Sequence, residues 1–498
     1  MPSAFRASMT NFTQRPVHLA EGLTREFLLH RGIAPARFAD DLSLVVAATE
    51  DALLHDVHEL TFLYSAPIVI ERVSREEVEQ LIERLASAAE RTIDVEGLER
   101  GDDDLTTDAR NLASQPPVVR YVNLIVREAY DSAASDIHLE STRAGLSVRF
   151  RVDGVLLPAA EPPAGLHLAV VSRVKLLAQL DIAERRRPQD GRIRVKMESR
   201  ELDLRVSTVP TLYGESVVLR LLDRGGRPVG LDELGLDQAT LADMLRLAQR
   251  PHGMILSTGP TGSGKTTTLY AALGHRNAMA EKIITVEDPI EYQLAGITQV
   301  PVHRESGTTF ATALRSILRQ DPDVLMIGEM RDAETAELAV QAAMTGHMVF
   351  STLHTNDAVG AVPRLLDLGV PSYLVAATIE GVLAQRLVRR ICSDCRQVYE
   401  PPTETVASVA GQPIGKSRLV RGAGCAGCRG TGFRGRVGLF ELLVMTDELR
   451  EAIAQSATRA RLRSIALDQG MRVLRADGWQ KVQAEMTTVE EVLRACEA

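Results

Sequence analysis

The chain has 498 residues, 45% hydrophobic and 25% charged, which is the composition of a globular protein of about three domains rather than of a disordered chain. Its 57 basic and 66 acidic residues give a net charge of −9, which argues against binding of nucleic acid by the whole chain. Five cysteines exclude a disulfide scaffold, although four of them lie between Cys392 and Cys428.

The N-terminal segment carries no recognisable sorting signal. Residues 1–23 lack a basic stretch followed by an apolar stretch, so no secretory signal is predicted. No window of the chain approaches 18 uninterrupted apolar residues, so no membrane span is predicted either. We therefore expect a cytosolic protein that reaches a membrane only through a partner.

The first 93 residues are expected to form a small α/β domain. An apolar run at 42–48 predicts a buried strand. A helix is predicted at 74–91, where Ser74 and Glu77 have the spacing of a capping box and apolar residues recur on one face. No catalytic constellation is present, so we interpret residues 1–93 as a partner-docking domain, with a plain packing domain as the alternative.

An acidic linker is predicted at 94–115. Between 94 and 108, seven acidic residues stand against one arginine, and such a run with little apolar content is typical of a solvated linker. Residues 116–230 then combine an amphipathic helix with several period-2 segments joined by turns. This pattern predicts an α+β domain with a mostly antiparallel sheet.

From residue 231 to 498, strands and helices alternate, which predicts a parallel α/β sheet. The apolar strand at 254–258 is followed by Gly-Pro-Thr-Gly-Ser-Gly-Lys-Thr and then by a helical segment, which is the context that a phosphate-binding P-loop requires. In such a loop backbone N–H groups surround the phosphates of ATP, Lys265 reaches the β- and γ-phosphates, and the Thr266 hydroxyl helps to hold Mg²⁺. The candidate nucleotide-binding residues are Gly259, Pro260, Thr261, Gly262, Ser263, Gly264, Lys265, Thr266 and Thr267.

Three further apolar segments end in residues suited to act at the γ-phosphate. The strand predicted at 323–329 ends in Glu329, which would polarise the attacking water or support Mg²⁺. This strand ends in Gly-Glu rather than the more usual Asp-Glu, so contact with the metal could run through water. Glu287 ends another strand and is suited to orienting Mg²⁺ or water. His354, at the end of a third, could sense the γ-phosphate, whereas His347 is as well explained as a structural residue.

Several longer segments resemble one family, the secretion ATPases of type II secretion and type IV pilus machines. They are FATALRSILRQDPDVLMIGEMRD at 310–332, STLHTNDA at 351–358 and ASDIHLE at 134–140. The resemblance is strong from about residue 115 to residue 498 and weaker before that. It implies a PAS-like second domain, a RecA-like P-loop ATPase domain, and a hexameric ring that hydrolyses ATP between subunits.

The resemblance also implies arginines that reach the phosphates from both of these domains. The matching positions are Arg205, Arg220, Arg315 and Arg319. A guanidinium beside the γ-phosphate would neutralise charge in the transition state, as an arginine finger does. The alternative is that these are ordinary solvated charges on strands and helices.

The clustered cysteines form two Cys-x₂-Cys pairs, Cys392 with Cys395 and Cys425 with Cys428, separated by 29 residues. Two such pairs supply four thiolates, the ligand set of a structural Zn²⁺ site with no open catalytic position. Iron–sulfur spacing is absent, and disulfides are disfavoured in the cytosol. The resemblance agrees with zinc, because type II secretion and pilus-assembly members of the family carry such a module, placed here at 389–437, and retraction ATPases lack it.

The preferred hypothesis is the assembly motor of a type II secretion system, a hexameric ATPase that drives pseudopilus assembly and protein export. Residues 1–93 would dock onto the cytoplasmic part of a single-span inner-membrane protein, and the ring would push on an inner-membrane platform protein. The motor would lie in the cytoplasm, peripheral on the inner membrane, with no span of its own and no bound nucleic acid.

Three other functions are weighed against this hypothesis. A type IV pilus extension ATPase has the same core, but that group usually has a longer N-terminal region. A DNA-transfer motor is disfavoured by the acidic charge and by the 4% content of aromatic residues available for base stacking. A regulator that binds nucleotide without hydrolysing it is opposed by Glu329 and the four arginines.

Overall fold

The computed structural model describes most of the chain, namely residues 25–38, 43–50, 52, 57, 60, 64, 67–89, 112–162, 165–197, 200–223, 229–276, 278–303, 306–412 and 418–496. Contacts divide the chain into two compact units, residues 1–99 with 194–201, and residues 100–193 with 202–498. Of the acidic linker predicted at 94–115, residues 94–111 lie outside the described part. Within the described residues, no helix combines the length and the apolar character needed to cross a bilayer.

The N-terminal unit contains a three-stranded sheet and two helices: β1 (Ile33–Phe38), β2 (Leu44–Ala48), β3 (Ile68–Arg72), α1 (Arg25–Arg31) and α2 (Arg75–Ala89). The strand order is β1-β2-β3, antiparallel in the first pair and parallel in the second. Leu28, Ile33 and Ile82 are fully buried in its core. The strand predicted at 42–48 and the helix predicted at 74–91 are confirmed over their described residues.

A six-stranded sheet with two helices follows: β4 (Ala134–Thr142), β5 (Gly145–Val152), β6 (Val155–Pro158), β7 (Gln189–Met197), β8 (Arg200–Thr211), β9 (Gly214–Asp223), α3 (Pro116–Asp131) and α4 (His167–Leu177). The strand order is β6-β5-β4-β9-β8-β7. The pairs β6–β5, β5–β4, β4–β9 and β9–β8 are all antiparallel, which confirms the expected sheet. The amphipathic helix α3 buries Val118, Val122 and Ile125, as its periodicity predicts.

The third sheet has seven strands: β10 (Gly253–Thr258), β11 (Ile283–Glu287), β12 (Thr298–Pro301), β13 (Val324–Ile327), β14 (Met348–Leu353), β15 (Ile379–Ile391) and β18 (Phe433–Val444). Their order is β12-β11-β13-β14-β10-β15-β18. All neighbouring pairs are parallel except β15 with β18. The predicted parallel α/β sheet is therefore confirmed, with one antiparallel edge strand. β10, β13 and β14 are buried along their whole length, as strands covered on both faces are.

Helices surround this sheet and follow it at the C-terminus: α5 (Gln238–Ala248), α6 (Lys265–Leu273), α7 (Phe310–Ile317), α8 (Ala333–Met344), α9 (Ala361–Asp367), α10 (Ser372–Thr378), α11 (Thr403–Ala410), α12 (Asp447–Ala454), α13 (Arg459–Asp468), α14 (Leu474–Gln483) and α15 (Val489–Cys496). Between β15 and β18, the short strands β16 (Arg396–Tyr399) and β17 (Leu419–Gly422) pair antiparallel. The four clustered cysteines lie in this insertion, next to the strand ends.

The parallel strands bring several candidate residues to one edge of the sheet. The carboxyl ends of β10, β11, β13 and β14 face the same way, and ligands of open α/β sheets bind at this edge. The P-loop follows β10, Glu287 ends β11, Glu329 follows β13, and His354 follows β14. The topology thus places four segments that are far apart in sequence around one site.

Candidate active site

The P-loop connects the buried strand β10 to helix α6 in the strand–loop–helix arrangement that its sequence predicts. Gly264 has a φ of 88°, a left-handed conformation that favours glycine, directly before the first turn of α6. At Gly259 a Cβ atom would lie 2.5 Å from the Gln385 carbonyl oxygen, so only glycine fits there. The loop therefore wraps closely over β15 and presents the N-terminus of α6, where backbone N–H groups bind anions.

Lys265 is the first residue of α6, and its side chain is only 8% exposed. Its Nζ donates hydrogen bonds to the carbonyl oxygens of Gly259 at 2.8 Å and Pro260 at 3.0 Å. Burial lowers the pKa of Lys265 to about 8, an effect that Glu329 opposes and Arg386 increases. The ammonium group therefore remains charged at neutral pH and lies inside the loop, where it can bind phosphate oxygens.

Glu329 lies close to Arg331 and His354. Its Oε2 is 2.7 Å from Nε of Arg331 and 3.5 Å from Nε2 of His354. Burial and the positive charge of Lys265 lower the pKa of His354, although the Glu329 carboxylate raises it. The imidazole is therefore neutral at neutral pH. The structure thus brings Lys265, Glu329 and His354 into one electrostatically coupled group, as the sequence predicts.

Glu287 has a different environment from Glu329. It is 2% exposed and accepts hydrogen bonds from Tyr270, from Thr285 at 2.6 Å and from Gln299 at 3.1 Å. Both of its carboxylate oxygens are engaged by these donors. Tyr270 also packs edge-on against Tyr292, with ring centroids 4.7 Å apart. Glu287 therefore stands at the predicted strand end, but within a buried network whose other members the sequence analysis did not identify.

Arg205 and Arg220 face each other on β8 and β9 and line an open cleft of about 1480 Å³ between the six-stranded sheet and the segment 288–303. The Arg205 guanidinium donates to the carbonyl oxygen of Ile290 at 3.3 Å. Burial raises the pKa of Glu291 in the same cleft, and both arginines counteract this effect. The two arginines therefore contact or influence the segment after β11, next to the site.

Arg315 and Arg319 lie on α7 and immediately after it. Arg315 pairs with Glu334, and Nη1 of Arg319 donates to the Arg315 carbonyl oxygen at 2.7 Å. Both contacts are exposed. Among the described residues, no bond joins either arginine to the group formed by Lys265, Glu329 and His354.

The four clustered cysteines converge. Their Sγ atoms lie within 4.8 Å of one another, with separations of 3.9 Å for Cys392–Cys425, 3.8 Å for Cys395–Cys428 and 3.6 Å for Cys425–Cys428. Thiolates about 2.3 Å from a tetrahedral Zn²⁺ would be about 3.8 Å apart, so this donor set fits the ion.

Backbone N–H groups also point at the sulfurs. The Cys425 and Gly432 N–H groups donate to Cys428 Sγ at 3.1 and 3.2 Å, and Gly424 donates to Cys395 Sγ at 3.3 Å. Such bonds stabilise thiolates and fix their orientation around a metal.

Comparison with known proteins gives one consistent result. The family model "Type II/IV secretion system protein" matches residues 111–494. The chain is 47% identical over 487 residues to the type II secretion system protein E of Xanthomonas campestris pv. campestris, covering 96% of this chain and 85% of that protein. It is 45% identical over 464 residues to the type IV pilus assembly ATPase PilB of Myxococcus xanthus, covering 91% of this chain and 82% of that protein.

Solved structures agree with this result. The pilus retraction motor PilT with bound ADP has a TM-score of 0.51 and 26% identity, covering 74% of this chain and 95% of that chain. The ATPase DotB of Yersinia pseudotuberculosis has a TM-score of 0.56 and 20% identity, covering 80% of this chain and 96% of that chain. At this level of identity the similarity is one of fold alone. The family match and the identity to these relatives show that the chain belongs to the family of type II/IV secretion system proteins.

Proposed function

We propose that this protein is the ATPase motor of a type II secretion system, which hydrolyses ATP to drive pseudopilus assembly and protein export. The observation that carries the proposal is the convergence of Lys265, Glu329 and His354 at the P-loop of a chain 47% identical to a type II secretion system protein E. Its place is the cytoplasmic face of the inner membrane, where it is held through partners.

The nucleotide would bind with its phosphates against the backbone of Gly259–Thr267. Lys265 would neutralise the β- and γ-phosphate oxygens, and its buried position strengthens that interaction because little water competes. The Thr266 hydroxyl is a hard oxygen donor of the kind that Mg²⁺ prefers, so this residue suits the ion. Mg²⁺ bound there would supply further charge neutralisation on the phosphates.

Glu329 would orient the attacking water and accept its proton, while the neutral imidazole of His354 would hold the carboxylate in place. Arg205, Arg220, Arg315 and Arg319 would supply positive charge to the transition state. We assign Glu287 a positioning role, because its bonds to Tyr270, Thr285 and Gln299 would have to break before it could reach water or Mg²⁺.

The domain roles belong to the same proposal. Residues 1–93 would dock onto the cytoplasmic part of a single-span inner-membrane protein, and residues 116–230 and 231–498 would form the hexameric motor that pushes on a platform protein. Two of the four arginines lie on α7 and just after it with exposed contacts, which supports a role across a subunit boundary.

A type IV pilus assembly ATPase is the second candidate, favoured by the 45% identity to PilB. The two candidates have different membrane partners, so the partner of the N-terminal unit separates them. The full chain with an affinity tag is expected to recover a single-span secretion component, bound through residues 1–93, from an inner-membrane extract of the native cell. Recovery of pilus components alone would favour the second candidate.

The motor assignment predicts that phosphate release per chain rises with protein concentration, because sites completed across subunits require a ring. The measurement is steady-state phosphate release over a dilution series, with the assembly state followed by light scattering. Double-stranded DNA added to the same series is expected to leave the rate unchanged. A constant rate per chain from ring to monomer would contradict the subunit-spanning site, and strong stimulation by DNA would indicate a nucleic-acid motor instead.

We further propose that the four cysteines hold one structural Zn²⁺. Protein purified under reducing conditions is expected to contain about one zinc per chain by elemental analysis. Cys425→Ser should lose most of this zinc and lower the melting temperature by at least about 5 °C, because binding of the metal contributes to folding of the module.

Cys496→Ser is the matched control for this measurement, since Cys496 lies on α15 outside the cluster. Its zinc content should equal that of the wild type. Full reactivity of the four cluster thiols in freshly purified protein, together with absence of zinc, would refute the assignment.

A further inference from the structure

Arg386 lies on β15 directly beneath the P-loop. β15 runs parallel to β10 with Ala384 opposite Thr258, so residues 385 and 386 are level with the start of the loop. A Cβ atom on Gly259 would lie 3.1 Å from Nη1 of Arg386, which therefore packs against the first residue of the loop. Sequence motifs do not single this arginine out, because it belongs to an ordinary apolar strand pattern.

The same guanidinium reaches the segment that follows His354. Nη2 of Arg386 donates to the carbonyl oxygen of Asn356 at 3.1 Å. Arg386 thus spans the end of β10 and connects the phosphate-binding loop with the His354–Asp357 segment after β14. In the proposed function, on which this inference rests, the loop binds the phosphates and His354 holds the Glu329 carboxylate.

The charge of Arg386 is only partly compensated by its surroundings. The side chain is 6% exposed, its Nε–H has no acceptor, and among the described residues no carboxylate lies within ion-pair distance of it. Burial lowers the pKa of Arg386, and the Glu441 and Asp357 carboxylates oppose this effect without forming an ion pair with it. Asp357 itself is bound by Arg459 at 2.6 Å and Arg463 at 3.2 Å. A buried cation without an ion-pair partner is costly, and such groups concentrate where a ligand supplies the opposite charge.

The fold does not need Arg386 to attach β15 to the P-loop helix. Gln385 already does so, because its Oε1 accepts a 2.6 Å hydrogen bond from Thr268 of α6. Gln385 is 2% exposed, and its bond is independent of the guanidinium. The position of Arg386 between these two segments of the proposed site is therefore better explained by their alignment than by attachment of the strand.

We propose that Arg386 is a positioning residue for the bound nucleotide: its guanidinium holds Gly259 and the Asn356 carbonyl in fixed relation, and its buried positive charge favours the phosphates above it. Thr258 at the end of β10 still holds Thr355 through hydrogen bonds of 2.7 and 2.8 Å. Loss of the guanidinium therefore leaves Gly259 and the loop beyond it free to shift relative to the His354–Asp357 segment. Nucleotide affinity then falls because the loop must be ordered on binding, and turnover falls because Glu329 and His354 are no longer aligned with the phosphates.

The test compares R386Q and R386K with the wild type and with R390Q, a control four residues further along β15 at an exposed position. Dissociation constants for Mg-ADP and for a non-hydrolysable ATP analogue are measured by calorimetry on the full chain, together with kcat at saturating ATP. R386Q is expected to weaken binding of both nucleotides about tenfold or more, the loss typical of a charged hydrogen-bonding group. R386K keeps the charge but not the planar fork, so it should weaken binding by a smaller factor and still lower kcat.

The outcomes separate this inference from the proposed function. A wild-type protein that binds neither nucleotide would refute the proposed function itself. If both Arg386 variants bind nucleotides and turn over ATP as well as the wild type does, only the positioning role is overturned. If R386Q does not fold, R386K decides, because a purely structural residue would change its melting temperature without changing the dissociation constants or kcat. R390Q should match the wild type in every measurement.

Discussion

Replacement of Lys265 by alanine is expected to reduce ATP hydrolysis to background and to weaken binding of Mg-ADP by about 100-fold or more, because a charge-assisted bond to the phosphates is lost. The effect should be large because Lys265 is 8% exposed and its ammonium group lies within the loop, where water screens its charge poorly. Calorimetric titration measures the affinity for Mg-ADP, and phosphate release measures the rate of ATP hydrolysis.

Lys282→Ala is the matched control, since Lys282 is exposed just before β11. It should bind ADP and hydrolyse ATP as the wild type does. Thermal unfolding of both variants tests whether the fold is retained, because Lys265 also donates to the carbonyl oxygens of Gly259 and Pro260. Binding of ADP by folded Lys265→Ala at wild-type affinity would contradict the assigned role of this lysine.

The sequence predicts the sheets and the P-loop well, because both depend on local patterns. The period-2 segments between 146 and 223 form an antiparallel sheet, and the alternating segments after residue 231 form a parallel one. In each case side-chain periodicity decides which faces are buried. The P-loop is equally local, since its strand, its glycines and the first turn of α6 are contiguous.

Contacts between distant segments could not be predicted in the same way. Gln385 meets Thr268 across 117 positions, and Arg386 meets Asn356 through a strand crossing that depends on the sheet order. The pattern of β15 indicates only an apolar strand. No local signal distinguishes Gln385 and Arg386 from incidental polar residues, so the support beneath the P-loop emerges only from the assembled sheet.

Glu287 and Glu329 illustrate the same limit at the site itself. The sequence places both at strand ends on one edge of the sheet, and this placement is correct. It does not determine what each carboxylate contacts. Glu287 is held by Tyr270, Thr285 and Gln299, whereas Glu329 faces Arg331 and His354. Two acids that look equivalent in sequence are therefore unequal in chemistry, and only Glu329 lies near the charged lysine.

Glu329→Gln is therefore expected to lower kcat about 10²–10⁴-fold, the usual contribution of a general base, while Mg-ADP binding stays close to that of the wild type. Glutamine preserves the shape of the side chain but cannot accept the proton of the attacking water. Removal of a negative charge beside the phosphates does not weaken their binding. The split between kcat and affinity distinguishes this variant from Lys265→Ala, in which both are lost.

Glu337→Gln provides the control for Glu329→Gln, because Glu337 is an exposed residue of α8 in the same part of the chain. Single-turnover phosphate release from preassembled protein separates the chemical step from ring formation. A Glu329→Gln protein that retains more than about one tenth of the wild-type single-turnover rate would exclude Glu329 as the base, given the usual size of that contribution. Attention would then turn to Glu287, whose bonds to Tyr270 and Gln299 would have to open during the cycle.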